Sequence, residues 1–320
     1  MRRSARRCAA ALLVSVAVVL AAAGCGSSDS AVTPVDAGGA AADFAKVVAS
    51  SNVDAVRYLY PTTTGSRDNK QNWADLFMPK DARARQSVPL VILIHGGAWQ
   101  SQIGADSFVT FARRLAERGL AVLNIEYRRV GSGGGWPTTF KDVAAAVDFV
   151  PKIEAAVPAI DAQHAVIVGH SAGGQLAMWA GTRDKLRVSE VGANPKFDPT
   201  YAISLAGPLD MRRAVTMGDD RIIAALGGSP EQVPDRYQSV DPMQNIDPQM
   251  RVIAMAGSRD TVVPPVLSQD YVAAANAAGD AARFVMVDGA DHSSIVDPTA
   301  PTFQLVLETI SRSAHDAADR

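Results

Sequence analysis

The 320-residue sequence predicts an α/β domain. It should have a mostly parallel central sheet of about eight strands, helices on both faces and a short cap-like insertion. Three observations predict it. From residue 56 onward, short apolar runs alternate with longer amphipathic ones. Several short runs are continuously apolar, as in PLVILIHGG (89–97), the pattern of strands buried on both faces. The repeat strand, helix, strand requires right-handed crossovers and hence parallel strands.

The elements follow in order. VRYLYP (56–61) and WADLFMP (73–79) read as two early strands, each stopped by proline. No helix separates them, so they should form an antiparallel entry hairpin. PLVILIHGG is the first long parallel strand. SFVTFARRLAER (107–118) has helical periodicity and ends at Gly119. LAVLNIEYR (120–128) is a further buried strand. TTFKDVAAAVDFVPKIEAAV (138–157) is mostly helical, bent or broken at Pro151. HAVIVGHS (164–171) is a strand and AGGQLAMWAG (172–181) a helix. YAISLAGPLD (201–210), RVIAMAGSRD (251–260) and ARFVMVDGADH (282–292) complete the strands, with a helix in 264–279 and another over 302–317. Residues 207–247 break the rhythm. They read as an insertion with one or two short helices over the carboxyl end of the sheet, where ligands bind in open α/β sheets.

The first residues have a different character. Arg2, Arg3, Arg6 and Arg7 precede an apolar run from Cys8 to Ala23, and Ala-Gly-Cys-Gly-Ser-Ser follows. This is the pattern of an export signal over 1–24. Cys25 resembles the lipidated cysteine of bacterial lipoproteins, which implies anchoring at the outer face of the cell membrane. Without that lipid the chain would be secreted. Residues 25–40 read as a flexible tether and 41–320 as the folded domain, including the 207–247 insertion. The formal charge is −2; without the four signal arginines, 27 basic residues face 33 acidic ones, or −6. Neither value points to nucleic acid. Cys8 and Cys25 are the two cysteines, so the domain should fold without a disulfide.

Gly169-His170-Ser171-Ala172-Gly173 fits the G-x-S-x-G elbow, in which a strained turn from strand to helix exposes a serine. A serine hydroxyl needs a base to act as nucleophile at neutral pH. Of five histidines, His292 follows the last strand, on a loop at the carboxyl edge, and is the candidate base. His170 should pack or hydrogen bond beside the serine, and His95 should brace its own turn. His164 and His315 read as surface residues. Asp260, at the end of the next-to-last strand, is the candidate orienting carboxylate, with Asp288, Asp291 and Asp297 as rivals. The HGG turn after the first long parallel strand supplies candidate oxyanion donors, the N–H groups of Gly97 and Ala98, joined by that of Ala172. Trp99 and Trp136 are candidate substrate-pocket residues, whereas Trp179 reads as core.

Together HGGAW (95–99), EYRR (126–129), GHSAGG (169–174), GSRDTVVP (257–264) and GADHS (289–293) resemble the α/β-hydrolase serine esterases. The likeness is to the hormone-sensitive-lipase-like and kynurenine-formamidase-like carboxylesterases. It implies short-chain ester cleavage through an acyl-enzyme, a small-molecule ester substrate, and neither metal nor organic cofactor. HGG-Ala-Trp departs from the lipase HGGG and leaves the substrate open. An arylformamidase or amidase would use the same triad. A non-catalytic surface-anchored binding protein is the reading from another class, and the complete triad argues against it.

Overall fold

A computed structural model describes Pro34, residues 52–82 and residues 87–319. The expected signal, Cys25 and, Pro34 apart, the tether lie outside the described residues. The entry hairpin forms: β1 (Val53–Leu59) pairs antiparallel with β2 (Trp73–Pro79). Next come β3 (Val88–Ile94), β4 (Ala121–Ile125), β5 (Ile160–His170), β6 (Tyr201–Leu205), β7 (Arg251–Gly257) and β8 (Arg283–Val287). The eight strands make one sheet in the order β1-β2-β4-β3-β5-β6-β7-β8. β2 joins β4 antiparallel, and every pairing from β4 to β8 is parallel.

Strand side chains alternate between two faces, and both faces are apolar, which explains the unbroken hydrophobic runs. In β3, Leu90, Ile92 and Ile94 enter one core while Val91 and Leu93 enter the other. Nine helices cover these faces among the described residues. They are α1 (Val109–Ala116), α2 (Thr138–Val147), α3 (Val150–Ala156), α4 (Ala172–Gly181), α5 (Met211–Thr216), α6 (Asp220–Leu226), α7 (Pro234–Val240), α8 (Val266–Ala277) and α9 (Phe303–Ala318). α1 and α9 close one core, with Phe111 edge-on to Phe303 at 4.9 Å between centroids. α2 and α4 close the other, with Phe140 edge-on to Trp179 at 5.3 Å. Each such buried aromatic contributes roughly 1.5–3 kcal/mol through removal from water. The expected break at Pro151 separates α2 from α3, with the proline in the first turn of α3, where its missing N–H costs nothing.

The insertion departs from expectation. It holds three short helices, α5 to α7, and a 3-10 turn at Pro242–Gln244, instead of one or two helices. Local capping explains the restarts. The Asp210 carboxylate accepts the Arg213 N–H, that of Asp219 accepts the Arg221 N–H, and Pro234 opens α7. The insertion is tied to the loop that carries Trp136 and to helix α4. The Trp136 amide donates to the Ala225 carbonyl at 2.9 Å, and the Gln175 side-chain amide to the Val240 carbonyl at 2.8 Å.

Candidate active site

Ser171 lies between the end of β5 and the start of α4, with φ 54° and ψ −121°. That conformation is costly for a residue with a Cβ and persists only where the surroundings enforce it. Here the Ser171 N–H donates to the Leu205 carbonyl at 2.8 Å, pinning the elbow to β6. Glycine is required on both sides. A Cβ on Gly169 would overlap the Gly173 carbonyl, and one on Gly173 would overlap the carbonyls of Ile94 and His95. Strand and helix therefore meet backbone to backbone, and the serine stands at the carboxyl end of the central strand β5.

The three residues expected to act together do meet. Ser171 Oγ is 2.9 Å from His292 Nε2, and His292 Nδ1 is 2.8 Å from Asp260 Oδ2. The other carboxylate oxygen of Asp260 accepts the N–H groups of Val262 and Val263, each at 2.9 Å. Burial would raise the Asp260 carboxyl. The hydrogen bond from His292, its charge and the two backbone donors outweigh burial and hold it below the usual carboxylate range. An ionised carboxylate only accepts, so His292 Nδ1 carries a proton and Nε2 faces Ser171 as acceptor. The rival aspartates do other work. Asp291 accepts the N–H groups of Ser293 and Ser294 and so shapes the turn that carries His292. Asp288 accepts from the Ser258 hydroxyl, and Asp297 binds the Thr299 N–H.

The HGG turn lies against the elbow. A Cβ on Gly96 would sit 2.8 Å from His170 Nδ1 and 3.2 Å from the Ser171 Cβ. Gly97, Ala98 and Trp99 follow with φ of 114°, 57° and 57°. Their left-handed geometry turns the backbone sharply at this point. The N–H groups of Gly97, Ala98 and Ala172 donate to no other group among the described residues.

Trp99 corrects the sequence reading. It is 2 % exposed, belongs to the core, and its indole N–H donates to Gln175 Oε1 at 3.2 Å. Its ring packs in the core instead of lining an open pocket. Trp136 is half-buried, and its recorded ring neighbours are Phe140 and the Arg236 guanidinium. Trp179 is core, as expected.

Sequence reasoning missed the polar network under the turn. Glu126 is buried and accepts the N–H groups of Ala105 and Tyr127 at 2.9 and 2.8 Å. It also meets His95 Nε2 at 3.2 Å and Arg129 Nη1 at 3.1 Å. Burial raises its carboxyl, but His95, Arg129 and the Ala105 N–H outweigh that and lower it. His95 Nδ1 binds the Gly96 carbonyl at 2.7 Å, and the Tyr127 ring stacks on the imidazole at 4.4 Å. His95 thus braces its turn as predicted. The sequence signal for these partners is the run of three charges, Glu126, Arg128 and Arg129, directly after the buried strand β4. Among the described residues no group of three or more His, Cys, Asp or Glu could hold a metal.

The BD-FAE family matches residues 74–274, a span that includes Ser171 and Asp260. The chain belongs to the BD-FAE family. Esterase LipC of Mycobacterium tuberculosis is 25 % identical over 278 residues, which are 80 % of this chain and 67 % of LipC. A probable isoprenylcysteine alpha-carbonyl methylesterase, ICME, of Oryza sativa subsp. japonica is 24 % identical over 79 % of this chain and 63 % of its own. The BD-FAE chain thus spans about two thirds of the length of these curated relatives. Among solved structures, a truncated carbohydrate esterase from gut microbiota superposes with a TM-score of 0.67 at 21 % identity, covering 81 % of this chain and 96 % of that one. LipC, ICME and this structural neighbour are esterases by name. The BD-FAE chain is an esterase-type hydrolase with the α/β-hydrolase fold.

Proposed function

We propose that the chain cleaves short-chain carboxylic esters by two-step acyl transfer. The observation that carries this reading is the continuous hydrogen-bonded line Asp260–His292–Ser171, at 2.8 and 2.9 Å. Ser171 Oγ attacks the ester carbonyl carbon while His292 Nε2 takes its proton. Asp260 orients the ring and stabilises the imidazolium. The N–H groups of Gly97, Ala98 and Ala172 receive the oxyanion, each such donor contributing roughly 3 kcal/mol. The imidazolium then protonates the departing alcohol, and water repeats the sequence on the acyl-enzyme. The short helices of the insertion and its many charged residues favour small acyl groups over long apolar chains. The names of LipC, ICME and the carbohydrate esterase favour an ester over an amide. Trp136 remains a proposed pocket residue, and the small ester is the proposed partner. In the same reading the chain is exported and held at the outer face of the cell membrane through lipidated Cys25, and secreted if Cys25 carries no lipid.

Hydrolysis of a chromogenic acetate ester by the wild type and by Ser171→Ala tests the mechanism. Turnover should vanish in the variant with folding intact; equal turnover in both would remove Ser171 from its role. Cys25→Ala tests the anchor, which is refuted if processing and membrane association are unchanged.

A further inference from the structure

We infer that His170 is a positioning residue that fixes the base His292 through its backbone, an inference resting on the triad reading above. His170 Nε2 is 2.8 Å from the His292 carbonyl oxygen. A carbonyl only accepts, so Nε2 carries a proton and donates it. The bond spans 122 positions of sequence and ties the residue before the nucleophile to the residue bearing the base. The imidazole is 8 % exposed, with Phe108 at 6.2 Å and the His292 ring at 4.9 Å between centroids. Its other nitrogen faces the oxyanion turn, where only the absence of a Cβ on Gly96 leaves room. One side chain thus touches all three parts of the site.

The chemistry of the neighbourhood suits a neutral donor. The groups around His170 are His292, which gains a proton during the reaction, and Asp260 behind it. Burial first, and the His292 charge second, push the His170 ring down to about 3. It therefore adds no positive charge beside the imidazolium that forms on His292. The His292 loop is braced elsewhere by the Asp291 turn and by Arg259, whose side chain donates to the Gly289 carbonyl. Those bonds set the loop; His170 alone among the described residues holds the carbonyl of His292 itself. Without it the peptide after the base can rotate and carry the ring off the Ser171 axis. A misplacement of about 1 Å costs on the order of 100-fold in rate.

The test compares the full-length wild type with Ser171→Ala, His170→Leu and His170→Gln on an acetate ester, with thermal melting of each. Leucine fills the space without a donor. Glutamine returns an N–H at nearly the reach of Nε2. His170→Leu should lose about 10- to 100-fold in kcat with KM within about twofold of wild type. His170→Gln should recover to within about fivefold of wild type. Full kcat in His170→Leu overturns the inference while leaving the triad in place. Equal losses in both variants, tracking melting temperature, also overturn it, because ring packing alone would then matter. Equal turnover by wild type and Ser171→Ala removes the triad reading, and this inference with it.

Discussion

Asp260→Asn replaces one carboxylate oxygen by an amide nitrogen, and the surrounding hydrogen bonds decide how that amide must turn. Asp260 Oδ1 accepts two backbone N–H groups, from Val262 and Val263, while Oδ2 accepts from His292 Nδ1. Asparagine has a single acceptor oxygen. If that oxygen turned toward His292, the amide nitrogen would face two backbone donors and strand both, at about 1–3 kcal/mol for each buried group. The oxygen therefore stays with the backbone, and the NH₂ group faces His292 Nδ1. Two donors cannot share that contact, so the imidazole moves its proton to Nε2. It then presents a donor to the Ser171 hydroxyl and cannot take its proton. Losing the productive tautomer costs about 10⁴-fold in kcat, or ~5 kcal/mol of barrier. The assay is steady-state hydrolysis of a chromogenic acetate ester at pH 7 to 8, with circular dichroism melting as a control. KM should change by no more than a few fold, and melting only slightly, because all three geometric contacts persist. A kcat loss below about tenfold would refute the orientation argument and with it the role of Asp260.

Three further outcomes follow from the packing. Gly169→Ala should abolish soluble, active protein, because the added methyl overlaps the Gly173 carbonyl and no flexible side chain can yield; activity and melting near wild type would show that the elbow is looser than described. Asp148→Ala removes the carboxylate 2.6 Å from the Arg183 guanidinium, which is 1 % exposed and, among the described residues, otherwise hydrogen bonds only to carbonyls at 3.3–3.4 Å, with the Asp198 charge nearby. Urea unfolding should show a loss of about 3–5 kcal/mol, and a loss below about 1 kcal/mol would contradict it. Asp241 in the insertion is pushed up to about 7, chiefly by burial, against the backbone N–H groups of Met211, Arg212 and Met243 that favour its charge. A carboxyl raised in the folded state gives stability that is present at low pH and fades as pH rises from about 4 toward 7, at up to ~1.4 kcal/mol per pH unit. Asp241→Asn should therefore gain stability relative to wild type between pH 5 and 8, and parallel melting curves across that range would refute the shift.

The sequence by itself determined the order of elements and singled out the candidate site residues. Continuous apolar runs announced strands buried on both faces, because an unbroken run satisfies two cores at once, as Ile92 and Val91 do. Proline and glycine marked the breaks at Pro151 and Gly119, since their backbone limits act locally. The G-x-S-x-G spacing singled out Ser171 for the same reason: the elbow is a backbone device written in five adjacent residues. What required the tertiary structure was every relation between distant segments. Which aspartate faces His292 depends on how the loop after β7 meets the loop after β8, a matter of sheet register that no single loop encodes. Trp99 looked like a pocket residue because the sequence does not reveal that its ring packs in the core, with the indole N–H on Gln175. Two of the three helix starts in the insertion depend on caps, Asp210 and Asp219, whose carboxylates could equally have faced solvent. The bond from His170 to the His292 carbonyl joins residues 122 positions apart, so only the folded chain brings that donor to that acceptor.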